Sequence, residues 1–256
     1  MPDAAAPTER FSDRVDDYVR HRPGYPPALL AWLRQSQGID AGWHVADIGA
    51  GTGISTRMWL DAGHAVTAVE PNDAMRAAAQ AWLADHPRLQ WVAATAEATT
   101  LPDGGIHLVS AAQAFHWFDP QRVRDEWARI LRPDGLAVVY WNSRAAERSA
   151  LMAGYERLLH KFGSDYDRVA ERRQDDQAMQ HWFGEGFRAM ARFQHRQRFN
   201  FDGLRGRLLS SSSAPQAGQP RHAAMIAALR ELFDHHAVGG HVDFDYDTRV
   251  FAGTLR

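Results

Sequence analysis

Apolar positions along the chain fall into two patterns that alternate. His44 to Ile48, Ala65 to Val69, Leu89 to Ala93, Leu108 to Ala112 and Leu136 to Trp141 are short runs, apolar nearly throughout. Strands buried on both faces have that composition. Between them the apolar residues recur at helical spacing. One stretch runs from Ile54 to Ala62 and closes on Gly63; another aligns Met75, Ala78, Ala79, Trp82 and Leu83 behind a cap at Asn72 or Asp73; a third aligns Val123, Trp127, Ile130 and Leu131. Such stripes predict amphipathic helices, and strands alternating with helices predict a parallel sheet covered on both faces.

The flanks read differently. From Thr8 the residues Phe11, Val15, Tyr18 and Val19 sit at helical spacing, stopped by the proline-rich stretch His21 to Pro27. A second helix carries Leu29, Leu30, Trp32 and Leu33 and ends near Gly38. Beyond Asn142 the alternation breaks. Residues 144 to 184 are charged and helical in pattern, with Met152, Tyr155, Leu158 and Leu159 aligned. A strand is expected within Phe187 to Phe201, a loop at Ser210 to Pro220, and a helix through Met225, Leu229 and Leu232. Val242, Phe244 and Tyr246 alternate with polar residues, as in an exposed or antiparallel strand. The chain therefore divides into a helical cover (1–39), a core (40–142) and a cap with the last strands (143–256).

Composition narrows the chemistry. The 256 residues contain no cysteine, which removes thiol nucleophiles, Cys-ligated zinc and iron–sulfur clusters. Lys and Arg number 29 against 31 Asp and Glu, so no basic surplus draws in nucleic acid. No apolar run approaches the roughly 18 residues that span a bilayer, and the polar start lacks a secretion signal. A cytoplasmic protein without nucleic-acid or membrane partners is expected, as a monomer or homodimer.

The most informative stretch is Asp47-Ile48-Gly49-Ala50-Gly51-Thr52-Gly53, where a strand hands over to a helix. Glycines there let backbone N–H groups approach a ligand closely. Glu70 ends the next strand, about 20 residues on, where a carboxylate can take both hydroxyls of a ribose. The unit predicts an adenosine-type cofactor. A nicotinamide fingerprint would place its third glycine where Ile54 stands, and no Tyr-x-x-x-Lys pair supports an NAD(P)-dependent oxidoreductase.

With Asp47 two residues before the first glycine, the loop resembles motif I of the class I S-adenosylmethionine-dependent methyltransferases. Further segments resemble the same family: Glu70-Pro71-Asn72, Ala96-Glu97 with Leu101-Pro102, and the turn Leu131 to Gly135. Gln113 to Asp119, Tyr18 with Arg22 to Pro26, Ser210 to Ser213 and Tyr246-Asp247-Thr248 are similar to the small-molecule subgroup related to trans-aconitate methyltransferase. The resemblance covers most of residues 11 to 253. It implies a Rossmann-like fold: a seven-stranded, mostly parallel sheet with one antiparallel C-terminal strand, helices on both faces and a helical cap. It also implies S-adenosyl-L-methionine as cofactor, S-adenosyl-L-homocysteine as product and a small-molecule methyl acceptor, methylated at a carboxylate or hydroxyl oxygen.

By the same resemblance, Asp47, Gly49, Ala50, Gly51 and Gly53 would hold the methionine end of the cofactor. Glu70 would take the ribose, Asn72, Met75, Ala96 and Glu97 the adenine, and Gln113 the methionine moiety. Thr95 stands where many relatives carry an aspartate that meets the adenine amine, and His107 where they often have an aspartate at a strand start. A non-catalytic binder with the same fold stays open, because a cofactor loop says nothing about turnover.

His116 lies on a segment that faces the cofactor by resemblance and is the candidate base; its ring also suits simple packing beside Trp117 and Phe118. Tyr18, Arg22, Tyr25, Trp117 and Trp141 are candidates for acceptor contacts, Arg22 through bidentate pairing with a carboxylate or else as a solvated helix-end charge. Trp182 is a further pocket candidate, whereas Trp32, Trp82 and Trp127 fall on helix faces and are expected in the core. His235, His236, His241 and Asp243 match no zinc spacing, so no metal is assigned and a solvated loop is expected there.

Overall fold

A computed structural model describes residues 21–83, 86–164, 166 and 175–255. The helix expected from Thr8, and Tyr18 with it, lie outside those residues. The apolar runs form β1 (His44–Ile48), β2 (Ala65–Val69), β3 (Leu89–Val92), β4 (Ile106–Ala112) and β5 (Leu131–Arg144), all mutually parallel where they pair. Then come β6 (Phe187–Phe199) and β7 (Val242–Gly253), and the sheet order is β3-β2-β1-β4-β5-β7-β6. β7 runs antiparallel to both its neighbours, so six strands share one direction and the C-terminal strand opposes them.

Helices α1 (Pro27–Gln37), α2 (Ile54–Asp61), α3 (Asp73–Leu83), α4 (Pro120–Ile130), α5 (Ala150–Phe162), α6 (Asp176–Phe183), α7 (Phe201–Leu209) and α8 (His222–His236) surround the sheet. The period of two along β5 sorts them. Leu136, Val138 and Tyr140 turn toward a core with Leu29 and Leu33 of α1 and Trp59 of α2. Ala137, Val139 and Trp141 turn the other way, toward Val123, Trp127 and Ile130 of α4 and Met179 and Phe183 of α6. A third cluster joins α5, α7 and α8 to the outer ends of β6 and β7 through Phe199, Phe244 and Tyr246, and forms the cap.

Three local differences from expectation have physical reasons. Helix α7 carries Gly203 and Gly206, whose low helical propensity hides it in the sequence; Asn200 caps it by accepting from the Gly203 N–H at 2.9 Å. A Cβ on Gly206 would sit 2.1 Å from the His21 ring, so this glycine admits the N-terminal segment. Leu131 already pairs with Ile106, and the register then shifts so that Leu136 meets Leu108; the residues between loop out of the pairing. Trp82 is 36% exposed, not core, because its indole N–H reaches out to the Thr52 carbonyl at 2.7 Å.

Phe115, 1% exposed, anchors the short turn after β4. Its ring lies 4.8 Å from Trp182, 6.1 Å from Trp127 and 6.3 Å from Trp141, all edge-on. Phe115→Ala is expected to cost about 3–5 kcal/mol in urea denaturation; a loss well under 1 kcal/mol would show that the aromatic cluster closes over the gap.

Candidate functional site

The site starts at the C-terminal end of β1. Gly49 and Ala50 donate to the Val69 carbonyl at 2.9 and 3.1 Å, which folds the loop back onto β2. Gly51 N–H donates to Glu70 Oε2 and Asn72 N–H to Glu70 Oε1, both at 2.9 Å. Glu70 is thereby held at 8% exposure, and burial raises its carboxyl above the usual range, against the pull of the Asn72 and Gly51 N–H groups and of Arg76. Gly51 has φ +57°, and a Cβ there would meet only the Gly49 carbonyl, at 4.0 Å, so the backbone is open on that side. Gly53 differs: at φ +82° its missing side chain leaves room for Leu83, whose Cδ1 would stand 2.6 Å from a Cβ.

Asp47 lies beneath this loop, fully buried. Its Oδ2 accepts from Ser55 Oγ at 2.6 Å and Thr56 Oγ1 at 2.7 Å, and its Oδ1 from Ser110 Oγ at 3.2 Å. Ser110 Oγ in turn accepts from the Trp59 indole at 2.9 Å and lies 3.0 Å from the Tyr140 hydroxyl. Burial pushes the Asp47 carboxyl up to about 6, with the three hydroxyls pulling the other way.

Above the loop opens a cleft with about 1240 Å³ of empty space, its mouth included. Of the expected cofactor residues, Gly49, Gly51, Glu70, Asn72, Met75, Ala96, Glu97 and Gln113 line it. Arg22, His116 and Trp117 line it too. Ala50 and Tyr25 line a smaller adjoining pocket that shares Arg22, Gly49, Gly51 and Gln113 with the first. Asp47 and Gly53 line neither pocket: one supports the loop from below and the other packs it on α3. Trp141 lies in the core at 3% exposure, since the alternation of β5 turns it toward Phe115 and Phe251. Trp182 likewise packs on Phe115 and donates to the Pro120 carbonyl at 2.8 Å.

Gln113 marks the end of β4. Its φ of +57° is rare for a residue with a side chain, and such backbones concentrate at functional sites. Its side-chain amide donates to the Asn142 carbonyl at 3.0 Å. The Asn142 side chain then donates to the Gly24 carbonyl at 2.9 Å and accepts from Thr248 Oγ1 at 2.6 Å and His195 Nε2 at 3.2 Å. The N-terminal segment is tied down again where Arg22 donates to Ser210 through Nε–Oγ at 3.1 Å and Nη2–O at 2.7 Å. Arg144, Tyr166 and Ser211 to Ser213 also line the cleft. Sequence reasoning did not assign them to the site. The signals were the subgroup likeness of Ser210 to Ser213 and the position of Arg144 just past an apolar run.

Residues 46–139 match a family described as a methyltransferase domain. An uncharacterized methyltransferase of Mycobacterium tuberculosis is 39% identical over 163 residues, 63% of this chain and 62% of that protein. One from Schizosaccharomyces pombe is 27% identical over 139 residues, 52% of this chain and 53% of that protein. The matched stretch thus spans less than two thirds of these relatives. A provisionally assigned type II methyltransferase from Anaeromyxobacter dehalogenans shares the fold with a TM-score of 0.68 at 24% identity, over 91% of this chain and 98% of that one. Phosphoethanolamine N-methyltransferase 2 of Haemonchus contortus, solved with phosphomonomethylethanolamine and S-adenosylhomocysteine, shares it at 0.59 and 15%, over 96% and 58%.

The buried carboxylate beneath the glycine loop has a pH signature. A carboxyl at about 6 in the fold, against its ordinary 3.8, binds more protons folded than unfolded between those values. Its contribution to stability therefore falls as pH rises through that window. Asp47→Asn should gain on the wild type by on the order of 3 kcal/mol between about pH 4 and pH 7 in urea denaturation. A difference independent of pH would mean that Asp47 stays ionised throughout.

Proposed function

We propose that this chain is an S-adenosyl-L-methionine-dependent methyltransferase acting on a small-molecule acceptor at a carboxylate or hydroxyl oxygen. The observation that carries the reading is Glu70, fixed by two backbone N–H groups in the lining of the cleft beside an open glycine backbone. A carboxylate has about four acceptor positions, so two stay available for a ribose diol after Gly51 and Asn72 are served. The residues fit the cofactor on that ground and on the bare face of Gly51, which a side chain would fill.

When bound, the cofactor supplies an electrophilic methyl group on a sulfonium sulfur. Glu70 takes the ribose, Asn72, Met75, Ala96 and Glu97 enclose the adenine, and the loop from Gly49 to Gly51 with Gln113 meets the methionine end. Asp47 and Gly53 act through the loop, by supporting it and packing it. Arg22 from the N-terminal flank and His116 and Trp117 from the turn after β4 face the acceptor. The small-molecule acceptor rests on the likeness of Gln113 to Asp119 and of Ser210 to Ser213 to the trans-aconitate methyltransferase subgroup. Transfer is an in-line displacement, so the protein's main tasks are alignment and exclusion of water. An anionic carboxylate needs no base, whereas a hydroxyl gains from one, and His116, which lines the cleft, would serve as that base.

Glu70→Ala should weaken S-adenosylhomocysteine binding by about tenfold or more in calorimetry. In the wild type the affinity should fall with acidification at a higher pH than an ordinary glutamate dictates, because burial raises this carboxyl and the protonated form loses an acceptor. Unchanged affinity in the variant would remove Glu70 from the cofactor site. His116→Ala should cut turnover of a hydroxyl acceptor by about 100-fold with S-adenosylhomocysteine binding intact, measured by methyl incorporation across a panel of acids, phenols and alcohols. Cofactor binding by the wild type with no incorporation anywhere in the panel would favour a non-catalytic binder.

A further inference from the structure

The cleft has a second end, built by the C-terminal flank. Arg144, the last residue of β5, lines it with its side chain only 8% exposed. The guanidinium is held from behind by a closed ring of contacts. Nε donates to Glu156 Oε2 at 2.9 Å, Nη2 donates to the Tyr166 hydroxyl, and that hydroxyl donates to Glu156 Oε1. The third nitrogen, Nη1, has no hydrogen-bond partner among the described residues. Tyr166 lines the cleft beside it, whereas Glu156 does not.

Two more guanidiniums stand on this side. Arg22 lines the cleft and grips Ser210. Arg207, 3% exposed, donates to the Tyr246 hydroxyl at 2.9 Å and to Ser210 Oγ at 3.4 Å, and has no carboxylate partner among the described residues. Glu156 neutralises Arg144, so Arg207 leaves positive charge behind this wall. The fully buried phenol of Tyr155 registers all three: burial pushes it up to about 12 against the pull of Arg207, Arg144 and Arg22. The cofactor residues, by contrast, come from positions 49–97 and Gln113 and bring the carboxylates Glu70 and Glu97 to the cleft.

We propose that Arg144 grips an oxyanion on the methyl acceptor, with Glu156 and Tyr166 positioning its guanidinium and Ser211 to Ser213 lining the same end. This rests on the methyl-transfer reading and narrows its acceptor to an anionic small molecule. A carboxylate and a phosphate monoester share the required chemistry, since each accepts paired N–H donors from a planar guanidinium. A guanidinium already fixed by a carboxylate and a phenol loses little further freedom when it binds, which favours affinity.

The test uses the full chain saturated with S-adenosylhomocysteine, which separates acceptor binding from catalysis. Benzoate, phenylacetate and hexanoate are titrated against their amides, and phenyl phosphate and inorganic phosphate against benzyl alcohol. At least one oxyanion should bind tenfold or more tightly than its neutral counterpart, and whether a carboxylate or a phosphate does so identifies the source. Arg144→Met should erase that preference while the S-adenosylhomocysteine Kd stays within twofold. Arg144→Lys should keep part of it, and Tyr166→Phe should lose a smaller part. These two variants decide the matter if Arg144→Met does not fold. Oxyanions and neutral probes binding alike, weakly or not at all, would overturn the proposal. So would a preference that survives in the variants, or a loss of S-adenosylhomocysteine affinity as large as the loss of oxyanion affinity. A wild type that does not bind S-adenosylhomocysteine would instead sink the underlying methyl-transfer reading.

Discussion

A carboxylate without solvent sits where the first strand ends, and the geometry above it depends on how that charge is satisfied. Asp47 has three hydroxyl donors, from Ser55 and Thr56 in the first turn of α2 and from Ser110 on β4. Each donor belongs to an element that flanks the glycine loop. The buried charge therefore clamps strand, helix and neighbouring strand together at one point, and the loop between β1 and α2 has little freedom left. Removing any donor leaves charge under-solvated in a low dielectric, a large penalty for a small change. Trp59 and Tyr140 extend the network from Ser110 into the opposite core. The position of Gly51, and through it the orientation of Glu70, is thus inherited from a residue that never reaches the cleft.

The other wall is set by a neutral hub. Asn142 uses its backbone carbonyl on Gln113 and its side chain on Gly24, Thr248 and His195. One residue on β5 thereby fixes the end of β4, the N-terminal segment and strands β6 and β7 relative to one another. Burial lowers the His195 pKa, which favours the neutral ring beside the amide. Tyr25 packs edge-on against Tyr140 with ring centroids 4.7 Å apart, and Arg22 reaches Ser210. The N-terminal segment is bound to two different parts of the C-terminal half, so both flanks meet over the cleft even though no sequence motif links them.

Legibility in the sequence follows the range of the interactions. The loop, Glu70 and the strand–helix alternation were readable because each is local: a strand, a glycine turn and a helix within a few tens of residues. Gly53 belongs to that motif, yet its contribution is to admit Leu83, a contact that spacing alone does not distinguish from ligand approach. Trp141 shows the opposite limit. An apolar run states that a strand is buried on both faces without stating which face looks at the site, and the alternation places Trp141 among Phe115 and Phe251. The ring of Arg144, Glu156 and Tyr166 joins three residues with no shared motif, so only the folded chain brings them together. Helix α7 was obscured because Gly206 makes room for His21 and Gly203 for Phe199, both at the expense of helical propensity.

The two sides of the cleft are consequently polar in complementary ways and differ in origin. The end formed by the core presents carboxylates, Glu70 and Glu97, positioned by backbone N–H groups of the loop and of the turn at Asp119. The end formed by the flanks presents guanidiniums, Arg22 and Arg144, held by serine, tyrosine and glutamate. Acceptors on one side and N–H donors on the other would orient a ligand that carries both a hydroxylated part and an anionic part, and orientation is what an in-line displacement demands of a protein. The core end rests on short-range geometry that the loop motif encodes. The flank end rests on side chains from separate elements, which can change one by one without disturbing Asp47 or the loop. The flank side of the cleft can therefore diverge while the loop side keeps its shape.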